Sequence, residues 1–434
     1  MTRGLLLAAL WVLPGAARGE EPAPAPAPVQ EPAEESWHLE HRFAWDGAPT
    51  YEVWALTPDQ ITQELKLVQD FGIVGRVGAS LFVDYGYDWS ANPDDRNGWD
   101  AQLRRLRIET LGRVSYGIDT YYKVSLGAEE GRFYLNDFWL GWYPTAWFER
   151  VRFGYIDPPF SLEQLTSSTE RSFMEAAAPV SAFAPGYRLG LEGRNRWLDP
   201  DVALIGSLSS VGQSQQFSDA SDSPFRASLR AAWRPGGVPD DPNAALLHLG
   251  LSFGYSFSGS GDIHYRARPE SSISPYLVDT GDIQGDAAQV GVEFARRAGP
   301  LTLQGEWIGS FVSSSDFGSR FFHGGYFETA YMMTGEIRPY DARSGLFTPI
   351  QPKVPFDWDE RSFGSLELAA RISYINLSDG PVHGGSMTTL NGGVVWGLNR
   401  WARIHFDAIW ATVHDRPGPG SNLIGQMRIE LSLN

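Results

Sequence analysis

Arg403-Ile404-His405-Phe406-Asp407-Ala408-Ile409-Trp410 puts Ile404, Phe406, Ala408 and Trp410 on one face of an extended chain. Arg403, His405 and Asp407 fall on the other. A period of two is that of a β-strand, whose successive side chains leave opposite faces of the sheet. The same alternation sets Leu106, Ile108 and Thr110 against Arg105, Arg107 and Glu109, and Ile118, Tyr122, Val124 and Leu126 against Asp119, Tyr121, Lys123 and Ser125. Arg150–Tyr155 repeats it, with Val151, Phe153 and Tyr155 opposite Arg150 and Arg152, while residues 71–87 carry it with glycines in place of charges. A soluble β-sandwich alternates too, with its apolar face in a core. Segments of roughly nine to twelve residues match a tilted membrane crossing. Sixteen of them are read between residues 73 and 434, including 150–156, 187–197, 286–297 and 324–336, enough for closure into a barrel with one face in lipid and one lining a wet lumen. Odd-numbered strands end in long polar loops and most even-numbered ones in tight turns. The exception is the long connection Arg338–Arg361 on the side of the turns.

Composition agrees with that reading. Residues 1–19 have the form of a secretory signal peptide: Arg3, an apolar run at Leu5–Leu13, and Ala17-Arg18-Gly19 before Glu20. Residues 20–36 form a Pro/Ala/Glu linker of extended geometry. Residues 37–70 form an N-terminal segment in which Thr57-Pro58 starts a short helix, with the leader on the periplasmic side. The barrel is expected over 71–434. Aromatic residues make up 13%, with 16 Trp and 17 Tyr, numbers suited to the aromatic girdles of a membrane barrel. The formal charge is −17 with three lysines, Lys66, Lys123 and Lys353, which argues against nucleic acid as a partner. There is no cysteine, hence neither disulfide framework nor thiolate chemistry.

Between the strands at 150–156 and 187–197 lies a proline-bearing loop of about thirty residues, a length normally kept for function. The run GYIDPPFSLEQLTSS at 154–168, Phe173-Met174-Glu175 and Phe183-Ala184-Pro185-Gly186 resembles the phosphate-selective porin O/P family. So do 324–356, with Thr334-Gly335-Glu336 and Arg338-Pro339-Tyr340, and the strands at 366–380 and 389–413. The resemblance implies an outer-membrane barrel whose third external loop folds into the pore, a homotrimer in outer-membrane lipid, and small anions such as phosphate as solutes. It also marks two departures. Asp157 stands where the family often has a lysine, and the chain reads Leu431-Ser432-Leu433-Asn434 where outer-membrane barrels commonly finish on an aromatic residue.

In a channel, function lies in the side chains at the constriction. Alternation sends Arg105, Arg107, Lys123, Asp137, Arg150, Arg152, Glu367, Arg371, Arg403, Asp407 and Arg428 inward. The loop adds Asp157, Glu163, Glu170, Arg171, Glu175 and Arg188. The selectivity candidates are Arg105, Arg107, Lys123, Arg150, Arg152, Asp157, Arg171, Arg188, Arg371 and Arg403. Nothing in the chain calls for a cofactor, a metal or a catalytic residue. His38 and His41 lack a third ligand, there is no Gly-x-Ser-x-Gly elbow, and His405 is the sole candidate for a membrane-embedded hydrolase. The expected function is passive diffusion of small hydrophilic solutes and ions with an anion preference. A barrel acting only as an envelope anchor, or a porin preferring cations or carbohydrates, stands beside it.

Overall fold

A computed structural model describes residues 72–90, 97–116, 118–129, 132–143, 148–195, 201–210, 225–237, 244–257, 262–415 and 420–433. The signal peptide, the linker and the helix expected after Thr57 lie outside them.

Strands β1 (Gly72–Ser90), β2 (Gly98–Tyr116), β3 (Ile118–Glu129), β4 (Arg132–Trp142), β5 (Arg150–Ile156), β6 (Arg188–Asn195), β7 (Val202–Ser210), β8 (Phe225–Trp233) and β9 (Leu246–Phe257) pair antiparallel in succession. The sheet continues through β11 (Val278–Ala298), β12 (Leu301–Ser314), β13 (Gly318–Met332), β18 (Ser365–Asp379), β19 (Val382–Gly397), β20 (Ala402–His414) and β21 (Gly420–Leu433). Pairing of β1 with β21, Ala79 opposite Leu433 through Ser90 opposite Asn422, closes a barrel of sixteen strands. Short strands fill two connections: β10 (Asp262–Ala267) pairs with the start of β11, while β14 (Tyr340–Asp341) with β15 (Leu346–Phe347) and β16 (Phe356–Asp357) with β17 (Ser362–Phe363) form two small hairpins between β13 and β18. The outer face carries exposed Ile108, Phe153, Leu229, Phe327, Phe406 and Trp410.

The third long loop, residues 157–187, folds into the barrel. Strand β5 stops after seven residues because Pro158 and Pro159 supply no backbone donors for further pairing. Two short helices follow, α1 (Leu162–Leu165), capped by the Ser161 hydroxyl, and α2 (Ala178–Phe183), with proline in its first turn. Ala178, Val180 and Phe183 of α2 pack with Ile263, Tyr265, Ile308, Phe322, Ile375 and Met387 into an apolar cluster. The hydrophobic core therefore lies inside the barrel. On the side of β11–β20 the loop's apolar face packs against the wall, so the lumen is not wet all round.

The loop between β9 and β11, expected to be an external polar loop, also turns inward. Glu270, at φ 57°, is buried and reaches Arg371 of β18 at 2.5 Å, and Ser274 donates to Asp88 of β1 at 2.6 Å. Wall glycines make room for both loops. A Cβ on Gly393 would stand 2.9 Å from the Phe173 ring, and one on Gly86 would stand 2.7 Å from Ile273. Gly393→Val is expected to lift Phe173 and the third loop from the wall, raising single-channel conductance in a planar bilayer while the far-ultraviolet circular dichroism stays that of a barrel.

Candidate functional site

Strand β2 shows how the sequence builds the lumen. A register shift opposite Phe82 and Val83 leaves Arg104 without a partner on β1, so two consecutive arginines turn inward. Arg104 forms a fork on Glu175 of the third loop at 2.9 and 3.1 Å, and Arg105 donates to Ser168 while its guanidinium lies 5.2 Å from the Phe82 ring. Strict alternation selected Arg105 and Arg107 and missed Arg104, because a bulge leaves no mark in a two-residue period.

Seven of the ten selectivity candidates belong to the β2–β6 wall or to the two ends of the loop that faces it. Arg105 and Arg107 are half-buried on the lumen side of β2. Lys123 of β3 pairs with Asp137 at 2.9 Å and Glu109 at 3.6 Å. Arg150 and Arg152 of β5 share Glu192 at 2.6 and 2.7 Å, and Arg152 also stands over Trp139 at 5.5 Å. Arg188 donates only to its own neighbour's carbonyl, at Tyr187, and Asp157 accepts from Gln164 at 3.0 Å. Tyr187 lies within electrostatic reach of Arg107, Lys123, Asp137 and Asp157, which brings these groups to one place.

The other three play different parts. Arg171 folds back on the carbonyls of Glu163 and Gln164 at 3.1 and 3.3 Å. Arg403 pairs with Glu430 at 2.5 Å, in a niche by the turns that Thr169, Gln351 and Trp401 also line. Arg371 is buried among Glu163 at 2.9 Å, Glu270 at 2.5 Å and Glu328 at 3.6 Å, with its guanidinium 4.3 Å from the Phe173 ring. It also donates to the carbonyl of Glu175 at 2.9 Å. One side chain thus joins both infolded loops to the wall.

Further clamps repeat that scheme. Glu306 of β12 accepts from the backbone N–H groups of Leu162 and Glu163 at 3.0 and 2.7 Å, placing a carboxylate at the start of α1. Arg428 of β21 joins Asp84 and Glu175, each at 2.7 Å. Arg338, in the long connection beside the turns, donates to the Glu170 carbonyl at 2.7 Å and to Glu367 at 2.8 Å.

Alternation within 224–234 contained a signal that was passed over. Arg226, Arg230 and Arg234 share one face, and all three are buried. Arg230 binds Glu293 at 2.7 Å, whereas Arg226 reaches only the hydroxyls of Ser228 and Ser256, at 3.0 and 2.9 Å, with Phe160 5.1 Å below it. Its Nη2 and the hydroxyls of neighbouring Ser207 and Ser209 are buried without partners among the described residues. Buried polar groups are normally satisfied, so these donors point to water or solute in that space. Among the described residues no group of His, Asp and Glu is arranged to hold a metal ion.

The sequence profile of the phosphate-selective porin O and P family matches residues 76–431. The chain belongs to that family. It is 23% identical to Porin O of Pseudomonas aeruginosa over 335 residues, 70% of this chain and 73% of that one. It is 26% identical to an uncharacterized protein of Caulobacter vibrioides over 379 residues, 83% of this chain and 71% of that one. Among solved structures, the anion-selective porin from Comamonas acidovorans superposes with a TM-score of 0.54 at 10% identity, covering 83% of this chain and all of that one. The protein is an outer-membrane porin, and its family and fold point to a channel.

Removing one partner of a buried ion pair leaves the other charge uncompensated and costs about 3–5 kcal/mol. Arg371→Met strands three carboxylates and releases both loops. Expected are a lower denaturation temperature for the folded band in gel-shift assays and noisier, larger unitary currents.

Proposed function

We propose that the porin passes small hydrophilic solutes by diffusion and favours anions, phosphate among them, along the β2–β8 wall. The observation that carries this reading is a set of inward guanidinium groups, Arg105, Arg188 and Arg226, that have no carboxylate within ion-pair distance among the described residues. A guanidinium fork matches phosphate oxygens, and hydroxyls such as those of Ser207 and Ser209 supply further donors. Arg107, Lys123, Arg150 and Arg152 extend the positive wall, with their charge partly returned by Glu109, Asp137 and Glu192. Arg371, Arg403 and Arg171 serve in this reading as supports of the loop rather than as filter groups. The chain assembles as a homotrimer in outer-membrane lipid, as one Vibrio cholerae OmpT neighbour described in trimer form does. The turns and the N-terminal leader face the periplasm.

Ion selectivity tests it. Under a salt gradient the reversal potential should have the anion-selective sign, and added phosphate should reduce chloride current. Arg105→Gln with Arg226→Gln should lower the anion-to-cation permeability ratio several-fold, since clefts lined by one sign of charge focus the field. A cation-selective wild type defeats the proposal, and a protein without conductance would be an anchor.

Asp157 makes the preference depend on pH. It lies just beyond the end of β5, in the loop, where burial raises its carboxyl to about 7, against the opposing hydrogen bond from Gln164. Below that value the group is neutral and the neighbouring Arg152 is offset by Glu192 alone; above it the Asp157 carboxylate adds a further negative charge beside the arginine. Anion selectivity should therefore fall as pH rises through about 7, and Asp157→Asn should flatten the profile, read from reversal potentials between pH 5 and 9.

A further inference from the structure

The connection between β13 and β18 has two arms. The first, β14–β15, sits in the turn-side mouth of the barrel, where Arg230 donates to the carbonyls of Ser344 and Gly345 and His248 contacts the Tyr340 hydroxyl at 2.6 Å. The second, β16–β17, lies against the outside of the barrel. Its support is Trp396 of β19, which shares the outward-facing parity of Leu390 and Val394 at the turn end of that strand. The Trp396 indole donates to the Phe363 carbonyl at 2.7 Å, and the Phe356 ring meets it edge-on at 5.6 Å. The Phe356 N–H donates to the Leu398 carbonyl at 2.6 Å.

With the hairpin fixed at its base, its apolar side chains face outward. Trp358 is 82% exposed and Phe363 73%, well above the outward rings of the wall such as Phe406 at 45% and Tyr331 at 45%. The residues around them are charged: Asp357, Asp359, Glu360 and Arg361. Asp357 closes the tip by accepting from the N–H groups of Asp359 and Glu360 at 2.8 and 2.9 Å. A tryptophan and a phenylalanine set among charges, continuous with the outward side of β19 at Trp396, have the amphipathic make-up of groups that settle at the headgroup level of a bilayer. Charges at the tip oppose deeper entry, since ionised groups are costly in hydrocarbon.

We infer that β16–β17 is a lipid-binding foot: Trp358 and Phe363 dock into the phospholipid headgroup layer beside the turn end of the barrel, while the charged tip stays in water. The occupant is the bilayer surface, chosen because the patch continues the membrane-facing side of β19 instead of opening toward the lumen.

The absence of cysteine makes the test direct. Trp358→Cys and, separately, Glu360→Cys are labelled with an environment-sensitive nitrobenzoxadiazole dye and reconstituted into phosphatidylethanolamine–phosphatidylglycerol vesicles. The vesicles either contain a lipid with a nitroxide near the headgroup or are bathed on both sides in iodide. The dye at 358 should emit blue-shifted light, lose most of its emission to the lipid nitroxide and resist iodide, while the dye at 360 should show the reverse. Iodide quenching at both positions, with no effect of the nitroxide, would overturn the inference by placing the foot in water. Protection of position 358 from both quenchers would overturn it too, since another copy of the chain would then cover the patch. Unchanged single-channel conductance of each labelled protein certifies the fold.

Discussion

Arg371 must be surrounded by carboxylates, and the interior of this barrel is arranged to meet that demand. A guanidinium inside a membrane barrel, away from bulk water, is costly unless its donors are met. Here Glu163 comes from the third loop, Glu270 from the loop after β9, Glu328 from the adjacent strand, and Phe173 lies against its face. None of the three carboxylates is a sequence neighbour, so the cage exists only when both loops have entered the lumen. Completing it couples the two infolded segments, because neither can leave without stranding charges that the other shares. Hydrogen bonds from Ser373, Thr389 and Asn391 to Glu270 extend the network along β18 and β19. Charge-assisted networks of this kind, bridging two loops and the wall, hold one arrangement of the loops, which an eyelet of defined width needs.

The rest of the interior divides in two as a consequence. Toward β11–β20 the loops present apolar side chains and close against Ile308, Phe322, Ile375 and Met387, so that half of the lumen is a packed core. Toward β2–β8 they present hydroxyls, carbonyls and a few charges, as where Ser168 meets Arg105 and the Phe160 ring lies below Arg226. In the proposed reading, selectivity falls to one wall because of the way the loop docks on the other. Clamps at Glu306, Arg428 and Arg338 place the loop at three further points, so both its faces are determined.

Much of this was legible in the sequence. All sixteen barrel strands follow the alternation, and the strand at 150–156 coincides with its expected bounds, because lipid on one side and a polar lumen on the other impose a strict period of two. The strand expected at 324–336 begins at Gly318 and ends at Met332, since hairpin pairing with β12 extends through Arg320 and Ser319, where no apolar periodicity exists. Arg104 escaped because a bulge breaks the period. Glu270 escaped because a polar loop reads the same whether it faces water or turns inward onto an arginine. Arg371 was correctly read as inward, but a strand pattern conveys direction only; the difference between a filter group and a structural pin lies in which distant carboxylates arrive beside it. Strands β14–β17 are two residues each, too short for any pattern.

Net charge illustrates the same distinction between composition and placement. A chain of −17 looks ill suited to attract anions. Yet the charge that a solute meets is local, because fields within a narrow, low-dielectric passage are set by the nearest groups and those outside are screened over about 8–10 Å. Inside the barrel, Glu163, Glu270, Glu175, Asp84, Glu293 and Glu367 are each spent on a guanidinium that holds the architecture. Acidic residues such as Asp282 and Glu360 lie outside the lumen, in a hairpin and a tip. Arg105, Arg188 and Arg226 lie inside with no carboxylate in ion-pair contact among the described residues. The acidic surplus and the proposed anion-favouring wall are compatible because different residues, at different depths, make them.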